Sequence, residues 1–289
     1  MTSNQESSGL LEPAPSVSPP EKRPGLLSRM KFRMTVDKTA FFTLVRTGAI
    51  DSLKNDLEKG ATVNAHGSEG QTALTLATLY GQEEVLSLLL DYKAKTELKN
   101  KNGETALFVA VAKENEDILK LLLLRGADPN GSNSKDGKSP LAQAILCGNV
   151  SLTGLLLSQG ATPYVICVNG EPALVYAAEN DHIEIARLLM DHGVPADQPG
   201  NTSRTALSKA VISGSVGMVK LLMEHGANPN RQDSWGVSPM IITMQNRNRE
   251  LMEIFCQFGH VPRKPDWMSS GRSSAAYGFA DVMTGMSLA

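Results

Sequence analysis

Cysteine is scarce in this chain, with Cys147, Cys167 and Cys256 the only three in 289 residues. An odd number at wide spacing, with no CxxC pair, builds neither a disulfide framework nor a zinc site. No cofactor and no metal is expected, and a reducing compartment fits best. An excess charge of either sign is also missing: 28 basic residues face 30 acidic ones, for a net charge of -2. That balance gives no global reason to expect nucleic acid or an anionic membrane as partner. No apolar run approaches the roughly 18 residues that a membrane helix needs, and no secretory core opens the sequence MTSNQESSGLLEPAPSVSPPEKRPG. The expected location is the cytoplasm, with the nucleus left open. Catalytic signatures are missing as well. No HExxH, GxSxG or paired-carboxylate arrangement stands out, and no enzyme is expected.

What the chain does have is a beat. A small polar residue or proline followed by Ala or Pro recurs at Thr39-Ala40, Thr72-Ala73, Thr105-Ala106, Ser139-Pro140, Pro172-Ala173, Thr205-Ala206 and Ser238-Pro239. Successive copies lie 33 residues apart, except for 34 between Thr105 and Ser139. A turn closes each phrase at Gly60, Lys93, Gly126, Gly160, Gly193, Gly226 and Gly259, in step with its opening. A period of this length marks stacked supersecondary units.

Within each unit the apolar spacing turns helical twice. In the second, Leu74, Leu76 and Ala77 share one face, Gly81 interrupts, and Val85, Leu86, Leu88, Leu89 and Leu90 form a second stripe. Later units repeat it with Ile118, Leu119, Leu121 and Leu122, with Leu152, Leu155 and Leu156, with Ile183, Ile185, Leu188 and Leu189, and with Met218, Val219, Leu221 and Leu222. These are core positions. The Thr, Ser or Pro at each head suits a helix's first turn, and the closing glycines suit a left-handed C-terminal position, a rule from which Lys93 departs. Roughly ten polar residues between one turn and the next phrase read as projecting, hairpin-like loops.

The array spans residues 36–262. Residues 1–35 are rich in Ser, Pro and charge, the composition of a disordered arm. The basic cluster Lys22, Arg23, Arg29, Lys31 and Arg33 in this arm is either a nuclear-import or anionic-surface element or diffuse charge on a linker. Residues 263–289 abandon the period. They form a flexible end, a cap packed through Trp267, Tyr277, Phe279 and Met283, or a docking peptide.

The phrases GQTALTLATLYGQEEVLSLLLDYKA from Gly70, GETALFVAVAKENEDILKLLLLRGADPN from Gly103 and RTALSKAVISGSVGMVKLLMEHGANPN from Arg204 resemble the ankyrin repeat. The resemblance implies an all-α solenoid of about seven helix-turn-helix units with projecting loops. The first and last units depart most from the pattern, as capping repeats do: the first is charged along its second helix, and the seventh replaces the inter-helix Gly with Arg247. The family's TPLH histidine is absent throughout, its place taken by Phe42, Thr75, Phe108, Ala142, Val175, Ser208 and Ile241. Stability is therefore expected to lean on apolar packing.

Several apparent chemistries dissolve in the repeat. The run from Gly131 to Gly137-Lys138-Ser139 ends like a phosphate-binding loop, but five residues separate the glycines where that loop has four, and a helix turn precedes it. His182 sits at the family's GH position, while His192 and His225 precede turn glycines, and His66 and His260 complete a set with no ligand pattern. Asn130, Asn149 and Asn201 open glycosylation triplets that have no meaning without secretion.

The resemblance also implies a partner lying in the concave groove, against loop tips and the exposed ends of the first helices. Tyr80, Ile166, Val168 and Trp235, flanked by Lys99, Lys101 and Lys113, are the candidate site, suited to a protein with apolar anchors beside acidic residues. The expectation is a monomeric, non-catalytic interaction module or scaffold that binds no nucleic acid. Alternatives are a regulatory or inhibitory subunit acting through the arm or tail, and an enzyme whose site is unrecognised.

Overall fold

The computed structural model describes residues 38–131 and 137–260. The arm at 1–35, the tail at 263–289 and the centre of the Gly131–Gly137 loop lie outside the described residues. Within them the beat becomes seven helix pairs. They are α1 (Lys38–Thr47) with α2 (Ile50–Glu58), α3 (Ala73–Leu79) with α4 (Glu83–Asp91), and α5 (Ala106–Ala112) with α6 (Glu116–Leu124). Next come α7 (Pro140–Leu146) with α8 (Val150–Ser158), α9 (Ala173–Glu179) with α10 (Ile183–Asp191), α11 (Ala206–Ser213) with α12 (Val216–Glu224), and α13 (Pro239–Gln245) with α14 (Arg249–Gln257).

At five of the seven phrases the hydroxyl at the head starts its helix. Thr72, Thr105, Ser139, Thr205 and Ser238 each accept the backbone N–H three residues on, satisfying a donor that the first turn leaves free. Pro172 makes no such bond. Most second helices are capped likewise, by Asn115, Asn149, Ser215 and Asn248. At the far ends Gly60, Gly126, Gly160, Gly193, Gly226 and Gly259 all have positive φ, and so does Lys93 at 65°. Lys93 thus departs from the glycine rule in identity alone. It bears the steric penalty that glycine escapes.

Seven-residue helices are too short to persist in isolation, so packing must hold them. First helices stack on first helices and second on second, each against its neighbours in the array. The stripes from the sequence form the seam: Leu86, Leu89, Ile118, Leu119, Leu122, Leu152, Leu156, Leu189 and Leu222 are wholly buried. Each such side chain contributes about 1.5–3 kcal/mol.

The missing TPLH histidine leaves less of a gap than expected. Thr75 closes a reciprocal capping box with Thr72, and the Ser208 N–H donates to Thr205 Oγ1. Bonds between repeats are made elsewhere. Asn64 Oδ1 accepts the Lys95 N–H at 2.8 Å, and Asn130 Oδ1 accepts that of Thr162 at 2.7 Å. Both asparagines also donate to a turn carbonyl of the next repeat, Lys93 and Gly160 respectively. Two other asparagines of the chance glycosylation triplets find structural partners too: Asn149 caps α8 and Asn201 donates to the Asn169 carbonyl. Polar bridges therefore supplement the apolar seam.

Candidate protein-binding surface

The projecting loops are narrow hairpins. Gly67, Asn100, Cys167, Gly200 and Asp233 each donate their N–H to the carbonyl four residues on, at Gln71, Glu104, Glu171, Arg204 and Val237. Isolated antiparallel bridges join His66 to Thr72, Ile166 to Pro172 and Pro199 to Thr205. Each tip leans on its neighbour. The Lys101 N–H donates to the Gly70 carbonyl at 3.0 Å, His66 Nε2 donates to the Lys99 carbonyl at 3.0 Å, and the Ser234 hydroxyl donates to the Thr202 carbonyl at 2.9 Å. Gly70 has φ +73°, and a Cβ there would lie 2.9 Å from Lys101 Cβ, so only glycine lets these two tips close.

Two hollows lie where tips meet first helices. One, of about 510 Å³, is lined by residues of the first two repeats, among them Lys38, Arg46, His66, Glu69 and Tyr80. The other, of about 210 Å³, lies between the second and third repeats, with Leu76, Leu79 and Val109 beside Asn102, Glu104 and Lys113. Both are open recesses. Among the described residues no cluster of His, Cys, Asp or Glu could hold a metal ion, and no helix is long and apolar enough to cross a membrane.

In the fifth repeat the apolar loop alternates like a strand. Val165 packs on the core and Cys167 is buried, while Tyr164, Ile166 and Val168 face outward. The Tyr164 hydroxyl donates to the Gly193 carbonyl at 2.8 Å. Burial pushes the Cys167 thiol up to about 12, so it stays protonated and is a poor nucleophile at neutral pH.

The seventh tip is built around Asp233, whose side chain is 1% exposed. Its carboxylate accepts the N–H groups of Trp235 at 2.9 Å and Val237 at 3.0 Å, and Arg204 Nε at 3.1 Å. Burial alone would raise its pKa, but these donors, Val237 foremost, together hold it below the usual carboxylate range. The same Arg204 guanidinium lies 5.0 Å from the centre of the Trp235 ring, a cation–π contact that leaves the indole 63% exposed.

All seven candidate residues are exposed, but they fall in two stretches. Tyr80 lines the larger hollow, Lys113 the smaller one, and Lys99 and Lys101 stand on the tip beside them. Ile166, Val168 and Trp235 belong to the fifth and seventh repeats, beyond the intervening fourth. Sequence reasoning missed the Asp233–Arg204–Trp235 assembly. Its signal was an acid and a base 29 positions apart, near the repeat length, at successive tips.

Such an array of paired short helices with hairpin tips defines a repeat solenoid. The description "Ankyrin repeats (3 copies)" matches overlapping stretches that together run from residue 41 to residue 233. The chain belongs to the ankyrin-repeat family. It is similar to the ankyrin repeat protein YahD of Escherichia coli (strain K12), at 26% identity over 227 residues, covering 76% of this chain and 95% of that one. It is also similar to the ankyrin repeat and KH domain-containing protein CBG24701 of Caenorhabditis briggsae, at 27% identity. That match covers 73% of this chain but only 7% of the much longer relative. Among solved structures, the ankyrin repeat domain of Bcl-3, a member of the IkappaB protein family, superposes with a TM-score of 0.66 at 23% identity. It covers 75% of this chain and 97% of that one, and the likeness is one of fold.

Proposed function

We propose that this chain is a non-catalytic protein-interaction module that recruits or scaffolds a partner through its loop tips and groove. The observation that carries this reading is the exposure of large apolar side chains, Ile166 at 52% and Trp235 at 63%, on hairpins held by neighbouring repeats. Aromatic and aliphatic groups displayed on a rigid frame bind at little ordering cost. The module acts as a monomer in the cytoplasm or nucleus, and the mixed charge of its tips favours protein over nucleic acid.

Affinity capture from cells with the wild-type chain and an Ile166→Asp, Trp235→Ala double variant tests the proposal. Selective loss of specific partners by the variant, with melting temperature unchanged, is the expected result. Identical capture by both chains would remove the tips from the proposal.

A further inference from the structure

We propose that the hollow between the second and third repeats is an anchor pocket for one large apolar side chain of a partner segment, with a carboxylate of that segment next to the anchor. This deepens the interaction-module reading and rests on it. At about 210 Å³ the pocket is smaller than the 300–1,000 Å³ of ordinary small-molecule sites, and it is open on one side. It suits a side chain presented by a larger body.

Its floor is apolar: Leu76 and Val109 are almost wholly buried, while Leu79 remains 46% exposed at the end of α3. Covering Leu79 removes apolar surface from water and favours an occupant of the same kind. Much of the polar wall is already satisfied, although Gln71 Oε1 is buried there without a hydrogen-bond partner. Asn100 Nδ2 donates to Glu104 Oε2 at 2.8 Å, Asn102 Nδ2 reaches the same oxygen at 3.4 Å, and Asn100 Oδ1 accepts the Glu104 N–H at 3.0 Å.

Charge at the rim selects what flanks the anchor. Lys113 lines the pocket and Lys101 stands beside Asn102, and neither joins an ion pair among the described residues. The adjoining hollow adds Lys38 and Arg46 against Glu69. Four cations thus face two carboxylates, one of them held by asparagine amides. The complement is an acidic segment with an apolar anchor, since a uniform polyanion would meet both carboxylates and waste the apolar floor.

The test is selection of peptides from a random displayed library against the full-length chain. Enriched peptides are expected to place Asp or Glu next to Leu, Phe, Tyr or Trp. A synthetic consensus peptide should bind about tenfold more weakly to Leu79→Asp and to Lys113→Glu, and should weaken with salt. Both positions are exposed, and thermal melting with Leu79→Ala as a milder variant confirms folding. Enriched peptides without that pairing, or binding that survives both substitutions, would overturn the pocket. If binding survives them but is lost with Ile166→Asp, the pocket fails and the interaction module stands. If nothing is enriched, the pocket also fails, and affinity capture decides the module separately.

Discussion

The first three repeats and the last three share one backbone and differ in how they hold cations that face the groove. At the start Lys38, Arg46 and Lys113 line the two hollows and Lys101 stands on the tip beside them, with no ion pair among the described residues. At the end the groove cations are engaged: Arg204 with Asp233 at 3.1 Å and Lys209 with Glu179 at 2.9 Å. The exposed surface left there is apolar, at Ile166, Val168 and Trp235. A charge paired inside the molecule fixes a tip, whereas one left unpaired remains available to a partner. On the proposed reading, the first stretch sets unpaired charge beside its anchor pocket, and the last offers exposed apolar side chains alone.

The comparison is broken most severely at Asp233. Asp233→Ala leaves two backbone donors and a guanidinium without their acceptor and should destabilise by about 2–4 kcal/mol. Denaturant unfolding should show the loss, with hydrogen exchange fastest in the seventh repeat. The same carboxylate sets a pH dependence. Its folded pKa lies below the unfolded one, so its contribution is fully present above the ordinary carboxylate range and fades as pH falls through the folded value. Below about pH 4 the melting temperature should drop more steeply in the wild type than in Asp233→Asn.

At the other end Gly70→Val sets a β-branched residue at φ +73° with its Cβ 2.9 Å from Lys101. A loss of about 1–3 kcal/mol is expected on thermal unfolding, with the second and third tips forced apart. Lys93→Gly should act the other way, relieving a left-handed lysine and raising stability by roughly 0.5–1 kcal/mol. The smallest effect, within about 0.5 kcal/mol, is expected for Glu114→Gly. Relief of its positive φ is offset there by loss of the bond that Glu114 Oε2 accepts from Asn149 Nδ2 at 3.0 Å.

Periodicity made the helix pairs and the buried stripes legible, because burial recurs with the repeat whatever the partner. The exposure of Lys99, Lys101, Ile166, Val168 and Trp235 was legible for the same reason: outward positions at the tips follow from the register of the hairpin. Pairing was not legible. Nothing in the local sequence around Arg204 tells that its guanidinium is divided between Asp233 and Trp235, since both contacts depend on the stacking of a separate repeat. The bridging asparagines were hidden similarly: Asn64 and Asn130 read as loop residues, and their partners lie about one period downstream. Lys93 read as an exception to the glycine turn, yet the backbone took the left-handed turn all the same, because α4 and the next loop must connect there.

The left-handed corner between paired helices is glycine at Gly48, Gly81, Gly148 and Gly214 but not at Glu114, Asp181 or Arg247, and several corners have receivers of their own. Glu114 meets Asn149, Asp181 meets Ser215, and Gly148 leaves room for the His182 ring. These three joints are thus locks cut for their own neighbours. An array of like units is prone to lose or duplicate one through recombination, and losing the fourth here would set Glu114 against His182 in place of Asn149. The order of the repeats is written into their joints, so this chain cannot shed or shuffle units as freely as its beat suggests.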